Sequence, residues 1–221
     1  MDYEPSCSAL LVDYYEQYLI DQDMGAFLRQ TADRYYIGTL ERLVAVGERA
    51  ARRAAVLALG RLADYRSNAV LGRALTDTDR GVRTLAENAI AKVWLRLGTS
   101  AQQRRLTAIS EQLDDQDFER AATLAGKLVQ DAPWISHAWY LRGVAHFNMA
   151  QYDAASRDCH QALEINAYHF RAAAIMGQAH QLAGNLVSAL ECYRRALRIN
   201  PQLEDIRARL IQLQRTLKEN S

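Results

Sequence analysis

Five histidines, three cysteines and one closely spaced aspartate pair are the residues whose chemistry would matter most if they met. His137, His146, His160, His169 and His180 form no HxxxH or HExxH pair, the spacing that turns two ligands toward one metal on a helix. Cys159 and His160 are neighbours, so on a helix they point to different sides, and nothing in their spacing argues for a thiolate–imidazole nucleophile. Within helices, Cys159 and Cys192 read as buried, inert thiols. Asp77 and Asp79 have the opening spacing of a calcium loop, but Gly81 stands where a third oxygen ligand belongs and Asn88 where the bidentate carboxylate should be. A turn that caps the next helix is the better reading. Gly126-Lys127 lacks the upstream glycine and the following hydroxyl of a phosphate loop. No GxGxxG occurs, and no serine sits in a Gly-x-Ser-x-Gly turn. The expectation is a non-catalytic chain with no cofactor and no metal.

The elements that carry these residues repeat. Ala121, Ala155 and Ala189 coincide at a period of 34, as do Leu128, Ala162 and Ala196, and Phe118, Tyr152 and Leu186. Pro133, Ala167 and Pro201 close the three copies. Gly143 and Gly177 match, with Ile109 in the same place earlier. Each copy reads as two helices; in the middle one, 139–149 is the first, 150–153 the turn and 154–165 the second. Small residues recur where two helices must approach, and Pro201 ends its helix because it lacks an N–H and disfavours helical backbone at Asn200. Upstream, 51–63 aligns with 82–94 at an offset of 31, matching Arg52 to Arg83, Ala55 to Ala86 and Ala58 to Ala89. Leu10, Leu11, Tyr14, Tyr18, Met24, Phe27 and Leu28 predict two short helices interrupted near Asp21-Gln22-Asp23.

Composition agrees with helices. Of 221 residues only 11 are Gly and 3 Pro, which disfavours a turn-rich β fold, and 49% are hydrophobic, enough for a core. No apolar run reaches the roughly 20 residues that span a bilayer. MDYEPSCSALL lacks the basic start of a secretory signal, and three widely spaced cysteines suggest free thiols, so a cytoplasmic location is expected. The net charge of +1 is uneven: residues 1–33 carry seven acids and one base, residues 34–105 fourteen bases and six acids.

WYLRG, Tyr152, Ala155 and Ala162, then Gly177, Ala189, Tyr193, Ala196 and Pro201, resemble the tetratricopeptide repeat, over about 103–203 with a capping helix at 205–217. Leu71, Leu75, Asp77, Val82, Arg83, Ala86 and Ala89 resemble a short HEAT repeat, and 38–66 a more divergent copy with Val46 where the second has Asp77. These resemblances imply an all-α fold, an α-solenoid of stacked helical hairpins, HEAT-like then tetratricopeptide. The domains expected are an N-terminal helical cap at 1–33, two HEAT-like copies at 34–98, a linker at 98–103, and three tetratricopeptide copies with a capping helix at 103–221. Two HEAT units are too few to stand alone, so they must lean on the N-terminal helices, the following stack or a partner. One continuous superstructure is expected.

The tetratricopeptide resemblance implies that the first helix of each copy lines a concave face. On it, Tyr140, Val144, Phe147 and Asn148, then Arg171, Ala174, Gln178 and Gln181, would meet a protein or peptide partner. Aromatics with amides suit an extended or helical peptide. A subclass of the family grips acidic chaperone tails with Lys, Asn and Arg; here those places hold Leu106, Ser110, Leu141, Arg171 and Ile175, and only Arg171 fits. The competing reading is that Tyr140 and Phe147 pack against a neighbouring helix. Arg49, Arg53, Arg61, Arg66, Arg73 and Arg80 could form a basic stripe for nucleic acid. Against that stands pairing of these bases with the acidic N-terminal segment or a protein. An adaptor is therefore the leading expectation. The alternatives are a nucleic-acid-associated protein and an accessory subunit of an enzyme, since short HEAT-like repeats also resemble parts of bilin lyases. The partner's identity and the oligomeric state are not legible.

Overall fold

The structure, a computed structural model, describes residues 7–219, the side chains of 7–9 aside; Asp2, Glu4 and the Cys7 thiol lie outside it. Thirteen α-helices and one 3-10 turn, with no strand, make up the described residues. The protein is all-α. None of these helices is long and apolar enough to cross a membrane. The chain divides into two compact units, one up to Arg96 and one from Leu97.

The first unit holds α1 (Cys7–Asp21), α2 (Met24–Arg34), α3 (Ile37–Val46), α4 (Arg49–Leu62), α5 (Asn68–Ala74) and α6 (Arg80–Trp94). The break between α1 and α2 falls at Gln22, whose φ is +60°, and Asp23 caps α2 by accepting from Ala26 N. Both α1 and α2 pack on α4, so the two hairpins that follow do lean on the N-terminal helices. Alanines pave α4 (Ala51, Ala54, Ala55, Ala58), which lets α6 approach closely: a Cβ on Gly60 would stand 2.7 Å from Ala89 Cβ. Trp94, fully buried, donates Nε1–H to Asn68 Oδ1 at 2.8 Å, so its one polar atom is satisfied inside the core.

The second unit runs α7 (Ser100–Asp114), α8 (Phe118–Asp131), α9 (Ser136–Asn148), α10 (Tyr152–Ile165), α11 (Phe170–Leu182), α12 (Leu186–Ile199) and α13 (Glu204–Glu219). The expected linker is mostly helix. Thr99 and Gln102 form a reciprocal capping box that starts α7 at Ser100. Each odd-numbered helix pairs with the next, and α7, α9 and α11 also neighbour one another in series. Ala121, Ala155 and Ala189 are fully buried, and so are Leu128, Ala162 and Ala196, as one packing rule applied three times requires.

The turns repeat as faithfully as the helices. Gln116, Ala150 and Gly184, each one period after the last, have φ of +62°, +59° and +81°. In each turn the next residue donates its N–H back to the carbonyl five residues upstream: Asp117 to Gln112, Gln151 to His146, Asn185 to His180, at 2.8–2.9 Å. This is the left-handed helix stop that satisfies the last carbonyls, and of the three positions only 184 is glycine.

Candidate interaction surface

Four histidines of the second unit, Asp158 and its two cysteines are engaged in packing. His169 caps α11, its Nδ1 accepting from Ala172 N at 3.2 Å. Nδ1 therefore carries no proton, and Nε2–H points at His137 Nδ1, 3.2 Å away. Both rings are buried and neutral. Burial, aided by the positive charge of Arg171, lowers His137 to about 3 and His169 well below its ordinary value. Tyr140 completes a three-ring cluster, 5.3 Å from His137 and 4.6 Å from His169 between centroids, and burial pushes its hydroxyl up to about 12. The sequence reading missed this joint between copies. Its only signal was His137 standing one helical turn before Tyr140.

Between α9 and α10, Asp158 receives two hydrogen bonds from Arg142, at 2.8 and 2.6 Å, and lies 3.0 Å from His146 Nδ1. Burial alone would raise this carboxyl; Arg142 and His146 outweigh it and hold it low. Arg142 also stacks over Trp139, 4.8 Å from the ring centroid. Ser156 Oγ lies 2.9 Å from His180 Nε2, and Tyr193 donates to Gln181 Oε1 at 2.6 Å. Burial raises the thiols of Cys159 and Cys192, the latter to about 11, so neither is a nucleophile at neutral pH.

What these joints leave is a surface on the odd-numbered helices. Tyr140, Val144, Phe147 and Asn148 fall on one side of α9, at the i, i+4, i+7, i+8 spacing of a single helix face. Asn148 is exposed, Val144 and Phe147 half-buried, and the Phe147 ring tilts against Tyr152 at 5.9 Å. On the neighbouring α11, Arg171 is exposed, and Ala174, Gln178 and Gln181 are half-buried. Leu182, at the end of the same helix, is 58% exposed. Tyr140 and Gln181 differ from the rest: the first is held in the ring cluster and the second by Tyr193. Leu106 and Leu141, at the places where acidic-tail binders carry polar groups, are buried.

In the first unit the arginines sort differently. Arg53 is committed to Asp79 through two bonds of 2.7 and 2.8 Å, and Arg52 to Asp77 through bonds of 2.8 and 2.9 Å. Asp79 also caps α6 through Val82 N, and its carboxyl is lowered to about 2, chiefly by the Arg53 guanidinium. The aspartate pair is thus a capping turn and an arginine clamp. Arg52 reaches the carbonyl of Gly47, and Arg83, its match in the next hairpin, that of Thr78, each five residues upstream. Among the described residues no ion pair joins 7–33 to these arginines; their acidic partners are Asp64, Asp77 and Asp79. Arg49, Arg61, Arg66, Arg73 and Arg80 remain exposed, spread over α4, the 3-10 turn, α5 and α6.

The tetratricopeptide repeat family matches residues 136–169 and, in a second match, 170–203. No curated protein sequence matches the chain. Among solved structures, the first TPR of Spaghetti (RPAP3) bound to HSP90 peptide SRMEEVD is similar at 19% identity and a TM-score of 0.51, over 53% of this chain and 93% of that one. The first TPR domain of the human RPAP3 protein is similar at 21% identity and a TM-score of 0.51, over 54% of this chain and 96% of that one. At these identities the likeness concerns the fold.

Proposed function

From a chain that carries two tetratricopeptide repeats, at 136–169 and 170–203, we propose a non-catalytic adaptor that holds a peptide or protein segment against α9 and α11. The observation that carries this reading is the surface itself. Val144, Phe147, Asn148, Arg171, Ala174 and Gln178 share two adjacent helix faces, while His137, His146, His169, His180, Asp158 and both thiols of these repeats are engaged in packing. A rigid surface of mixed apolar and amide groups lowers the entropy cost of ordering a flexible segment. The fold neighbour that holds a peptide supports a peptide ligand. The buried Leu106 and Leu141 speak against an acidic chaperone tail as that ligand. We read the stretch from 103 to 135 as a third copy, supported by the left-handed turn at Gln116. The two hairpins of the first unit are read as HEAT-like, supported by the matched Arg52 and Arg83 bonds. A cytoplasmic location, supported by the free thiols of Cys159 and Cys192, belongs to the same reading.

Affinity capture of the intact protein from native lysate, with and without nuclease and followed by mass spectrometry, tests this. A protein partner that survives nuclease is expected. Loss of all partners with nuclease would favour the exposed arginines as a nucleic-acid surface. Copurifying pigment absorbance would favour an enzyme subunit.

A further inference from the structure

Arg194, Arg195 and Arg198 of α12 border a half-open cavity of about 430 Å³, together with Glu191 and an apolar floor of Met176 and Cys192. No ion pair of the described residues neutralises any of the three guanidinium groups. The repeat architecture does not demand them: one period earlier the same positions carry His160, Gln161 and Glu164. The floor changes with them, since Met176 and Cys192 stand where the previous copy has the Arg142–Asp158 ion pair. A base in the last turn of a helix is favoured by its terminal carbonyls, which accounts for Arg198 but not for three bases around one cavity. Arg194 and Arg198, four residues apart, repel each other on the helix surface until an anion sits between them.

We propose that this cavity binds a phosphomonoester, a phosphoryl group carried either on a small molecule or on a hydroxyl side chain of a peptide. Three cations against one carboxylate leave two positive charges at the rim. A phosphomonoester brings about −1.5 to −2 at neutral pH, with three acceptor oxygens. Guanidinium forks match those oxygens in pairs, as a lysine ammonium does not. The apolar floor takes the carbon stem, and the volume lies in the small-ligand range of about 300–1,000 Å³. A nucleic-acid backbone asks instead for an extended basic track that neutralises many phosphates. The site is distinct from the α9–α11 surface and stands whether or not that surface holds a peptide.

Calorimetric titration of the intact protein with phosphoserine, and with one peptide in phosphorylated and unphosphorylated forms, tests the site at fixed ionic strength. Saturable binding of phosphoserine is expected. It should weaken at least about tenfold in Arg194→Gln/Arg198→Gln, fall partway in Arg198→Lys, and stay unchanged in Arg73→Gln. Binding should also weaken as pH drops below about 6, where the phosphate takes its second proton. A phosphopeptide that binds more tightly than phosphoserine points to a protein source, and equal affinity to a small molecule; both support the site. Because Arg194 and Arg198 are exposed, unchanged melting of the double variant is expected. Absence of saturable binding, equal binding by the double variant, or binding of an oligonucleotide but not of phosphoserine would each overturn the proposal.

Discussion

Gly177 and the ring of Tyr193 compete for one space: a Cβ at Gly177 would stand 2.6 Å from both Cδ1 and Cε1 of that ring. One period earlier the pair is Gly143 and Cys159, where the added Cβ would meet Sγ at 2.8 Å, and one period before that it is Ile109 and Ala125. The helix pair thus divides a similar volume differently in each copy. Gly177→Ala gains about 1 kcal/mol of helix propensity but forces a rigid ring aside in a closed core. A net loss of about 1–2 kcal/mol is expected, read by chemical denaturation. In a Tyr193→Ala background the same change should be neutral or stabilising.

Arg142 and Asp158 make the parallel case for charge. Removing either partner alone strands the other against the core. Arg142→Met or Asp158→Cys singly should cost about 3 kcal/mol. The double variant copies the Met176 and Cys192 of the next copy and should return to within about 1 kcal/mol of wild type. A full double-mutant cycle by urea unfolding checks the coupling.

The left-handed turns predict a gain. Ala150 holds φ +59° with a Cβ, where the next copy uses Gly184. Ala150→Gly should stabilise by about 0.5–1 kcal/mol, the left-handed strain relieved less the added freedom of the unfolded chain. Gln116→Gly should behave alike, and thermal melts of each variant measure it.

Acid should loosen the second unit through its buried histidines. Unfolded, each takes a proton below its ordinary value of 6.5; folded, His137 waits until about 3, and His169 too is held well below its ordinary value. The unfolded chain therefore binds more protons across that window, and stability falls as pH falls. The slope approaches about 1.4 kcal/mol per pH unit for each histidine. Asp79, lowered from 3.8 to about 2, is a carboxylate whose contribution is complete above 3.8 and lost only below it. The range between pH 6.5 and 4 thus isolates the histidines. His137→Asn keeps an acceptor for His169 without titrating and should roughly halve the slope.

These particulars show why the fold was easier to read than the surface. A period of 34 survives in small residues, because an alanine at 121, 155 or 189 is set by helix distance alone. The start of α7 was also written in Thr99 and Gln102, yet the run GTSAQQ reads as a linker unless the capping box is noticed. The turn at Ala150 was silent, since nothing about alanine announces a positive φ. Tyr140 was assigned to the outer face by its spacing on α9. Its partial burial depends on His169, which belongs to the next copy, and on which way three rings turn. The arginines of the first unit were counted as a stripe because charge is visible in sequence, while the clamp of Arg53 on Asp79 across 26 residues is not.

Whether α9 and α11 hold a partner decides the function proposed for this protein. The direct measurement is the affinity of a captured protein partner for wild type and for Phe147→Ala/Ala174→Asp, with helicity and melting followed in parallel. At least a tenfold loss of affinity is predicted, with unchanged helicity, because both side chains reach solvent. Undiminished affinity in the folded double variant would contradict the assignment of that surface.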